Sequence, residues 1–435
     1  MSWALPRRLP FAAALALVAV GAATFAIAFR LSLTWLYATL YQSDSVVDGF
    51  ARLPPVSRLL APVAGAAVAG WIIRLSGAPS QGVSNVMEAV VLGRLHLSLR
   101  VTASRVSASW AAIAGGMSIG REGPLIEFGG SLGAALSRRM GTSHDESRVL
   151  IAAGTAAGFA AAYNTPFAAV LFVLETIVGI AAPTMMVPVM AASAIATVVT
   201  RTIVGPGPIY GQRAFAMGSY VDLVSFAVLG AAAAVTAVGF KQTLKLFERG
   251  AERYGWPQPL PALLGGAVVG GIAWFVPEVV GNGYEPINTM LDVPPPVGLL
   301  ALLLFAKIIA TSGSVAAGVP GGVFTPMLLV GATLGSLWAH GIGPWASPHA
   351  SAGSFILVGM AATTAASIHA PLTAAVMIFE LSGDYLIVLP LLLATIVAMS
   401  VSRLLGSDSV YESELRRRGL AWDLTIEGRR FIRPE

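Results

Sequence analysis

The sequence predicts an all-α integral membrane protein, built from many tilted and broken helices in two inverted-topology repeats. Of the 435 residues, 56% are hydrophobic and only 11% are charged, with a mean hydropathy of +0.75, whereas soluble proteins carry about 25% charged residues. Many apolar runs are cut by Gly or Pro before they reach the ~20 residues that a simple span needs. Broken helices at membrane depth require burial by protein or water, as in channels and transporters.

The N-terminal apolar run at 11–29 is predicted to be an anchored helix. It continues past Arg30 into a second run and lacks a small-residue cleavage signature, which excludes a removed signal peptide. Arg7 and Arg8 precede this run, and arginines crowd the tail between 416 and 433. Because positive residues favour the cytoplasmic side, we expect both termini to be cytoplasmic.

Changes in composition divide the chain into five segments. The uncharged runs mark two membrane repeats, and a basic stretch around Lys241 and Lys245 separates them. We expect an N-terminal cytoplasmic segment and the first membrane helices at 1–58, a first membrane repeat at 59–205, a connecting helix with a basic loop at 206–257, a second membrane repeat at 258–405 and a short cytoplasmic tail at 406–435.

The central motif is Gly-Arg-Glu-Gly-Pro at 120–124, which lies between two apolar runs. Pro124 suits the first position of a helix, and the two glycines allow a tight turn and a close approach to a ligand. The motif therefore predicts a helix N-terminus inside the membrane, where free N–H groups and the helix dipole attract an anion. Glu122 could occupy that position with its own carboxylate. The alternative, that Glu122 pairs with Arg121, is disfavoured because neighbouring residues at a helix start point apart.

Two pairs of matching stretches reveal an internal repeat. Residues 120–133 align with 322–335, with Pro124 on Pro326 at an offset of 202, and residues 164–175 align with 369–380 at an offset of 205. If the repeats are inverted, two helix N-termini could face one anion near the midplane. Glu175 and Glu380 occupy equivalent positions, which predicts a shared role at helix ends.

Several other classes of function are excluded by the sequence. The absence of cysteine removes disulfides and thiolate chemistry, and the five histidines lack metal-ligand spacing. A nucleotide-binding G-x-x-x-x-G-K-[ST] loop is also missing, which excludes an ATP-driven pump. The net charge of +5 is read as a sign of membrane topology, so no nucleic-acid partner is expected. No metal or cofactor is expected either.

At these motifs the chain resembles the CLC family of chloride channels and proton-coupled chloride transporters. Residues 120–124 match the family motif GREGP, 321–326 match GGxFxP, and 383–390 are similar to the segment that carries the pore tyrosine. The likeness runs from about residue 63 to 405. It implies a homodimer with one pore per subunit, no enzymatic activity, a bound chloride ion, and a multi-pass location in the cell (inner) membrane of a prokaryote.

The resemblance also implies functional residues. Glu122 would be the gating glutamate, which competes with the anion and carries protons. The backbone amides of Val323 and Phe324 and the hydroxyl of Tyr385 would bind the central anion, although a tyrosine at the end of a span is more often an interfacial residue. The amides of Arg121 and Gly123 would serve an outer position, and Gln81 and Gly82 fall in the family's first anion-binding motif.

Three departures from the family pattern bear on the mechanism. Gln81 replaces the usual serine, which leaves anion selectivity open. Thr176 replaces an inner glutamate that many exchangers carry, which leaves proton coupling open. Glu127 stands where the family usually has glutamine.

Lys307 is isolated among apolar residues. We expect this charge to have a structural partner.

Two questions remain open at this point. Gly116-Met-Ser118-Ile-Gly120 fits G-x-S-x-G, so the rival function is an intramembrane serine hydrolase with His340 or His369 as base. Within transport, a passive channel and a proton exchanger are both compatible with the residues, and protons are therefore an open partner alongside chloride and the bilayer.

Overall fold

A computed structural model describes residues 5–77, 82–92, 97–179, 183–211, 213, 215, 219–342, 351–424 and 430–434. This part of the chain is almost entirely helical, which confirms the predicted all-α class. A small antiparallel hairpin, β1 (Leu420–Leu424) with β2 (Arg430–Pro434), follows the last helix. The helices are α1 (Leu5–Tyr41), α2 (Val46–Arg52), α3 (Pro55–Ser76), α4 (Val83–Leu92), α5 (Leu99–Ala114), α6 (Glu122–Met140), α7 (His144–Tyr163), α8 (Pro166–Phe172), α9 (Pro183–Val204), α10 (Asp222–Tyr254), α11 (Leu260–Ala273), α12 (Tyr284–Asp292), α13 (Val297–Ala316), α14 (Phe324–Ile342), α15 (Ala352–Ile368), α16 (Pro371–Ser382), α17 (Val388–Leu404) and α18 (Val410–Arg417).

Long and short apolar helices are mixed, as predicted. Among the described residues, six helices are long and apolar enough to cross a membrane. Four further apolar segments, which include α11, α15 and α16, have only 10–17 residues. The short segments are too short for a simple span, so they must end inside the protein body.

Glycines allow α6 to pack closely on α7, and α14 on α15. A Cβ atom on Gly129 would overlap the carbonyl of Gly154, and one on Gly331 would overlap the carbonyl of Gly359. Only glycine permits such close backbone contact, as in membrane helix pairs generally. The glycine positions that align between the two repeats thus have the same packing role in each.

The ends of α7 and α15 also match between the repeats. Asn164 and His369 adopt the left-handed conformation, with φ/ψ of 57/34 and 56/37 degrees. Each is followed by one non-helical residue, with φ/ψ of −123/83 and −128/79 degrees, and then by the proline that starts the next helix, Pro166 or Pro371. The stretch that is repeated in the sequence therefore has the same local structure in both repeats.

Two glutamates link the repeats by capping each other's short helices. The Glu175 carboxylate accepts hydrogen bonds from the amides of Leu372 (3.2 Å) and Thr373 (2.6 Å) at the start of α16. The Glu380 carboxylate accepts hydrogen bonds from the amides of Phe167 (3.1 Å) and Ala168 (2.8 Å) at the start of α8. Carboxylates satisfy the free amides and the positive dipole at a helix start. The predicted shared helix-end role is confirmed, and each contact crosses between repeats.

Lys307 has the structural partners that the sequence led us to expect. Its ammonium group donates hydrogen bonds to the carbonyls of Val279 and Gly281, each at 2.9 Å, and the side chain is fully buried. A buried charge needs such partners to offset its desolvation.

The C-terminal segment packs against the membrane body rather than extending away from it. Helix α18 starts at a capping box formed by Ser409 and Glu412. The Lys241 ammonium donates to the carbonyl of Asp408 (2.9 Å), just before this helix, and to the carbonyl of Ala366 (3.0 Å). The beginning of the segment expected to be a cytoplasmic tail is thereby held against α10 and α15.

Candidate functional site

The N-termini of α6 and α14 meet at a short backbone bridge. The amide of Gly120 donates to the carbonyl of Gly322 (2.7 Å), and the amide of Gly322 donates to the carbonyl of Gly120 (2.8 Å). The bridge joins the residues that precede the two proline-containing helix starts. It therefore brings two helix N-termini from different repeats to the same point.

The Glu122 carboxylate lies on the N-terminus of α14. It accepts hydrogen bonds from the amides of Phe324 (3.0 Å) and Thr325 (3.2 Å) and from the Thr325 hydroxyl (2.9 Å). The side chain is only 2% exposed. A Cβ atom on Gly120 or Gly322 would overlap this carboxylate, so both glycines are required to make room for it.

A carboxylate in this position is itself a bound anion. Backbone amides, a hydroxyl and the helix dipole hold its negative charge, and no lysine or arginine in the described part of the chain forms an ion pair with it. The Thr325 hydroxyl oxygen also lies 3.0 Å from the hydroxyl of Tyr163 at the end of α7. Because Thr325 donates to Glu122, Tyr163 can donate to Thr325 and orient it.

The helix starts of the two repeats differ in how they are capped. The carboxylates of Glu380 and Glu175 occupy the starts of α8 and α16. Glu122 is the first residue of α6, but its carboxylate serves α14 instead. The residue that begins α6 thus places its carboxylate on the start of the other helix, α14.

A cavity of about 100 Å³ adjoins Glu122. Near Glu122, its wall is formed by the backbone of both helix starts, including Gly123 and Val323, and by Gly82 before α4. The tail contributes Val410 and Tyr411. Farther along, charged side chains of both signs line it, namely Lys241, Lys245, Glu248, Glu414 and Arg417.

Tyr411 is the functional candidate that sequence reasoning missed. It is 7% exposed and lines the cavity beside Glu122, with its ring 6.2 Å from that of Phe172. Burial, and to a smaller extent the charge of Glu122, raises the pKa of the Tyr411 phenol far above its ordinary value, so the group stays a neutral O–H donor. Ser-x-x-Glu at 409–412 is a recognisable helix start and was the available signal for this helix.

The family assignment follows from the match of residues 65–403 to the family model described as voltage gated chloride channel. This chain belongs to that family. It is 36% identical over 411 residues to a ClcB-like protein of Ralstonia nicotianae, covering 92% of this chain and 95% of the relative. It is 31% identical to the voltage-gated ClC-type chloride channel ClcB of Escherichia coli, covering 89% and 95%.

Solved CLC structures share the fold. A slow cyanobacterial Cl⁻/H⁺ antiporter superimposes with a TM-score of 0.84 at 24% identity, covering 94% of this chain and 98% of the other. A CLC-type fluoride/proton antiporter has a TM-score of 0.76 at 19% identity, with the same coverage. The two inverted repeats are therefore those of a CLC fold.

The other residues predicted for the anion site do not all lie at this CLC cavity. Gly82, Gly123 and Val323 line it, whereas Gln81 lies outside the described residues. The amides that hold the carboxylate are those of Phe324 and Thr325, one residue later than the predicted pair. The guanidinium of Arg121 lies 5.4 Å from the centre of the Tyr284 ring.

The placement of Tyr385 corrects the sequence prediction. This residue starts a short 3-10 turn and is 76% exposed, with its ring 6.2 Å from that of Phe379. It lies in an apolar groove on the outer face of α8, α9, α16 and α17, not at the cavity. The turn leads directly into α17, so the motif match identified the start of that helix and not a tyrosine at the cavity.

Glu127 and Thr176, which both depart from the family pattern, have different surroundings in the structure. Glu127 forms an ion pair with Arg105 of α5 at 3.0 Å, with both side chains 4% exposed. Thr176 lies in a π-helical segment, Val173–Val178, and its buried hydroxyl has no hydrogen-bond partner among the described residues. Thr176 cannot carry a proton as a carboxylate would.

The serine hydrolase alternative is not supported. The Ser118 hydroxyl is fully buried and lies 3.1 Å from the hydroxyl of Thr311. The ring of His340 contacts the carbonyl of Ser336 (2.8 Å), and that of His369 lies 3.4 Å from the Ser402 hydroxyl. The predicted bases are thus engaged elsewhere, and the relatives are named as channels or transporters rather than enzymes.

Proposed function

We propose that this protein carries chloride, or a similar small anion, across the membrane along a path that passes the position now held by the Glu122 carboxylate. The observation that carries the proposal is the bonding of this carboxylate to the amides of Phe324 and Thr325. A site that binds a carboxylate through amides can bind a small inorganic anion in the same way. The names of the relatives, a chloride channel and Cl⁻/H⁺ and fluoride/proton antiporters, agree with this substrate class.

Glu122 acts as the gate in this proposal. When ionised, its carboxylate forms charge-assisted hydrogen bonds with the α14 amides and excludes the anion. Protonation removes the charge, weakens these bonds and frees the amides, so an anion can take the position. Anion flux should therefore rise as the pH falls.

The anion ligands in this proposal are all neutral groups. The amides of Phe324 and Thr325 and the Thr325 hydroxyl would bind the anion at the gate, and the Tyr411 hydroxyl would donate from the cavity side. The amide of Gly123, in the first turn of α6, would serve an outer position. Binding by dipoles is weak enough for the anion to leave again, which conduction requires.

The assembly proposed is a homodimer with one pore in each subunit, in the cell membrane of a prokaryote with both termini cytoplasmic. The apolar groove on the outer face of α8, α9, α16 and α17 has a volume of about 480 Å³ and is the proposed contact with the second copy. Phe167 and Leu389, both exposed apolar side chains, extend this face. The orientation rests on the basic residues next to both ends of the chain.

The first prediction tests the gate. In proteoliposomes with simultaneous recording of chloride flux and pH, the wild type should show flux that rises as the pH falls. Glu122→Gln should show flux that no longer depends on pH and should move no protons, because the amide side chain cannot ionise.

The same recording separates the two modes of transport. Uphill proton movement driven by a chloride gradient in the wild type would establish exchange, and large chloride flux without it would establish a channel. Proton movement that survives Glu122→Gln, or flux that keeps its pH dependence, would refute the role of Glu122.

A further inference from the structure

Arg105 and Glu127 form a buried ion pair that has no role in the gating proposed above. The Arg105 Nε atom lies 3.0 Å from one Glu127 oxygen and donates to the other at 3.1 Å. One turn away, the hydroxyls of Thr102 and Ser131 lie 2.7 Å apart, so α5 and α6 are joined by two buried polar contacts. Two opposite charges are thus fixed at the contact between α5 and α6, and α6 is the helix that begins at Glu122.

The pair is close enough to influence the anion site electrostatically. Glu122 and Glu127 are five residues apart on α6, a rise of about 7.5 Å along the helix. Glu127 also lies within electrostatic reach of Glu414, which lines the cavity, and of Arg418. At ~10 Å in a protein interior, one unbalanced charge changes a binding constant roughly tenfold.

Arg105 and Glu127 would change anion binding in opposite directions if either charge were present without the other. An uncompensated Arg105 would attract the anion and the ionised form of Glu122, and a strongly attracted anion leaves slowly. An uncompensated Glu127 would repel both. With both charges present, their fields largely cancel at the site.

We propose that Glu127 is a positioning residue that acts on the anion site through Arg105. Its negative charge neutralises the positive charge of Arg105, and this sets how tightly the anion binds and at which pH Glu122 releases the α14 amides. This inference rests on the proposed function of the site. Among the described residues, the other titratable or charged groups near the site include Arg121 before α6, Tyr163 on α7, Tyr284 on α12, Lys241, Lys245 and Glu248 on α10, and Tyr411, Glu414 and Arg417 on α18.

The test is isothermal titration of chloride into purified protein in the Glu122→Gln background, where the gate cannot ionise. Adding Glu127→Gln should tighten chloride binding about tenfold, because the amide keeps the acceptor for Arg105 but removes the compensating charge. Adding Arg105→Gln should weaken it, and the double change should return the affinity to within about twofold of the background.

Controls separate charge from damage to the fold. Asp292→Asn removes one negative charge from the exposed Arg213–Asp292 pair (2.7 Å) and should leave chloride affinity unchanged. Thermal unfolding in detergent checks that each variant is folded, and the double variant removes both charges without leaving an unpaired ion.

The results also separate this inference from the proposed function. With Glu122 intact, Glu127→Gln should move the pH of half-maximal flux down by about one unit. The inference is overturned if Glu127→Gln binds chloride no more tightly than its background, or if Arg105→Gln binds as tightly as Glu127→Gln. Absence of any chloride binding in the Glu122→Gln background would instead overturn the proposed function.

Discussion

At the scale of single residues, the proposed gating depends on one carboxylate and the neutral donors around it. Glu122 is buried, yet the hydrogen bonds that its carboxylate accepts from Phe324 and Thr325 come from two amides and a hydroxyl, not from a cation. Burial makes an ionised carboxylate costly unless such donors receive it. Charge on Glu122 and occupancy by an external anion are therefore alternatives for the same donors.

Two tyrosines give a matched test of where the anion path runs. Tyr411→Phe should weaken chloride binding by about tenfold, since a hydrogen bond to a charged group contributes ~1.5–3 kcal/mol. Tyr385→Phe should leave binding unchanged, because that side chain is on the outer face. Chloride titration checks both variants. An effect of Tyr385→Phe larger than that of Tyr411→Phe would contradict the cavity described here.

Residue-level prediction succeeded where the signal was local. Glycines and a proline around Glu122 mark a helix start, and the structure has a helix start there, at Glu122 and thus two residues before the predicted first position, Pro124. Thr325 was missed because the donors depend on the start of α14 to within one residue, and helix ends are not predicted that finely. Tyr411 was missed because its role depends on a contact between the tail and the membrane body, which no local pattern encodes.

At the scale of elements, short helices are stabilised by glutamates from the opposite repeat. Glu175 caps α16 and Glu380 caps α8, so the two repeats hold each other's broken helices inside the protein. The repeat in the sequence predicted that these glutamates share a role. Which helix each one caps could not be predicted, because the contacts join residues about 200 positions apart.

The cap formed by Glu175 should contribute to stability more than to transport. Glu175→Gln should lower the free energy of unfolding by about 1–3 kcal/mol, because buried amides of α16 lose a charged acceptor. Thermal unfolding in detergent measures the loss. Glu146→Gln, in the exposed capping box of α7, is the control and should cost less. Lost chloride flux with unchanged stability would instead assign Glu175 to the transport path.

At the scale of the whole molecule, composition and the repeat were sufficient to predict the fold class. Low charge, interrupted apolar runs and two nearly equal offsets, 202 and 205, indicate broken membrane helices in two repeats, and the structure has them. The position of the tail could not be predicted in this way. Its polar residues resemble a solvated end, while α18 is held by Lys241 through Asp408 and, through Glu414, by the hydroxyl of Ser84.

Dimerisation through the outer face of α8, α9, α16 and α17 can be tested by cross-linking, since the chain has no native cysteine. Phe167→Cys lies at this face, and near a two-fold axis it should form a disulfide with a second copy under mild oxidation. Phe305→Cys, equally exposed on α13, is the control and should stay monomeric. Gel electrophoresis without reductant detects the product. Equal cross-linking at both positions would contradict a specific interface.

Competition between Glu122 and the anion is tested most directly by chloride titration at two pH values. The wild type should bind chloride more tightly at low pH than at neutral pH, because protonation frees the α14 amides. Glu122→Ala should bind tightly and equally at both, since no carboxylate competes. If the wild type and Glu122→Ala have the same affinity at both pH values, the carboxylate and the anion do not share a site, and the account is wrong.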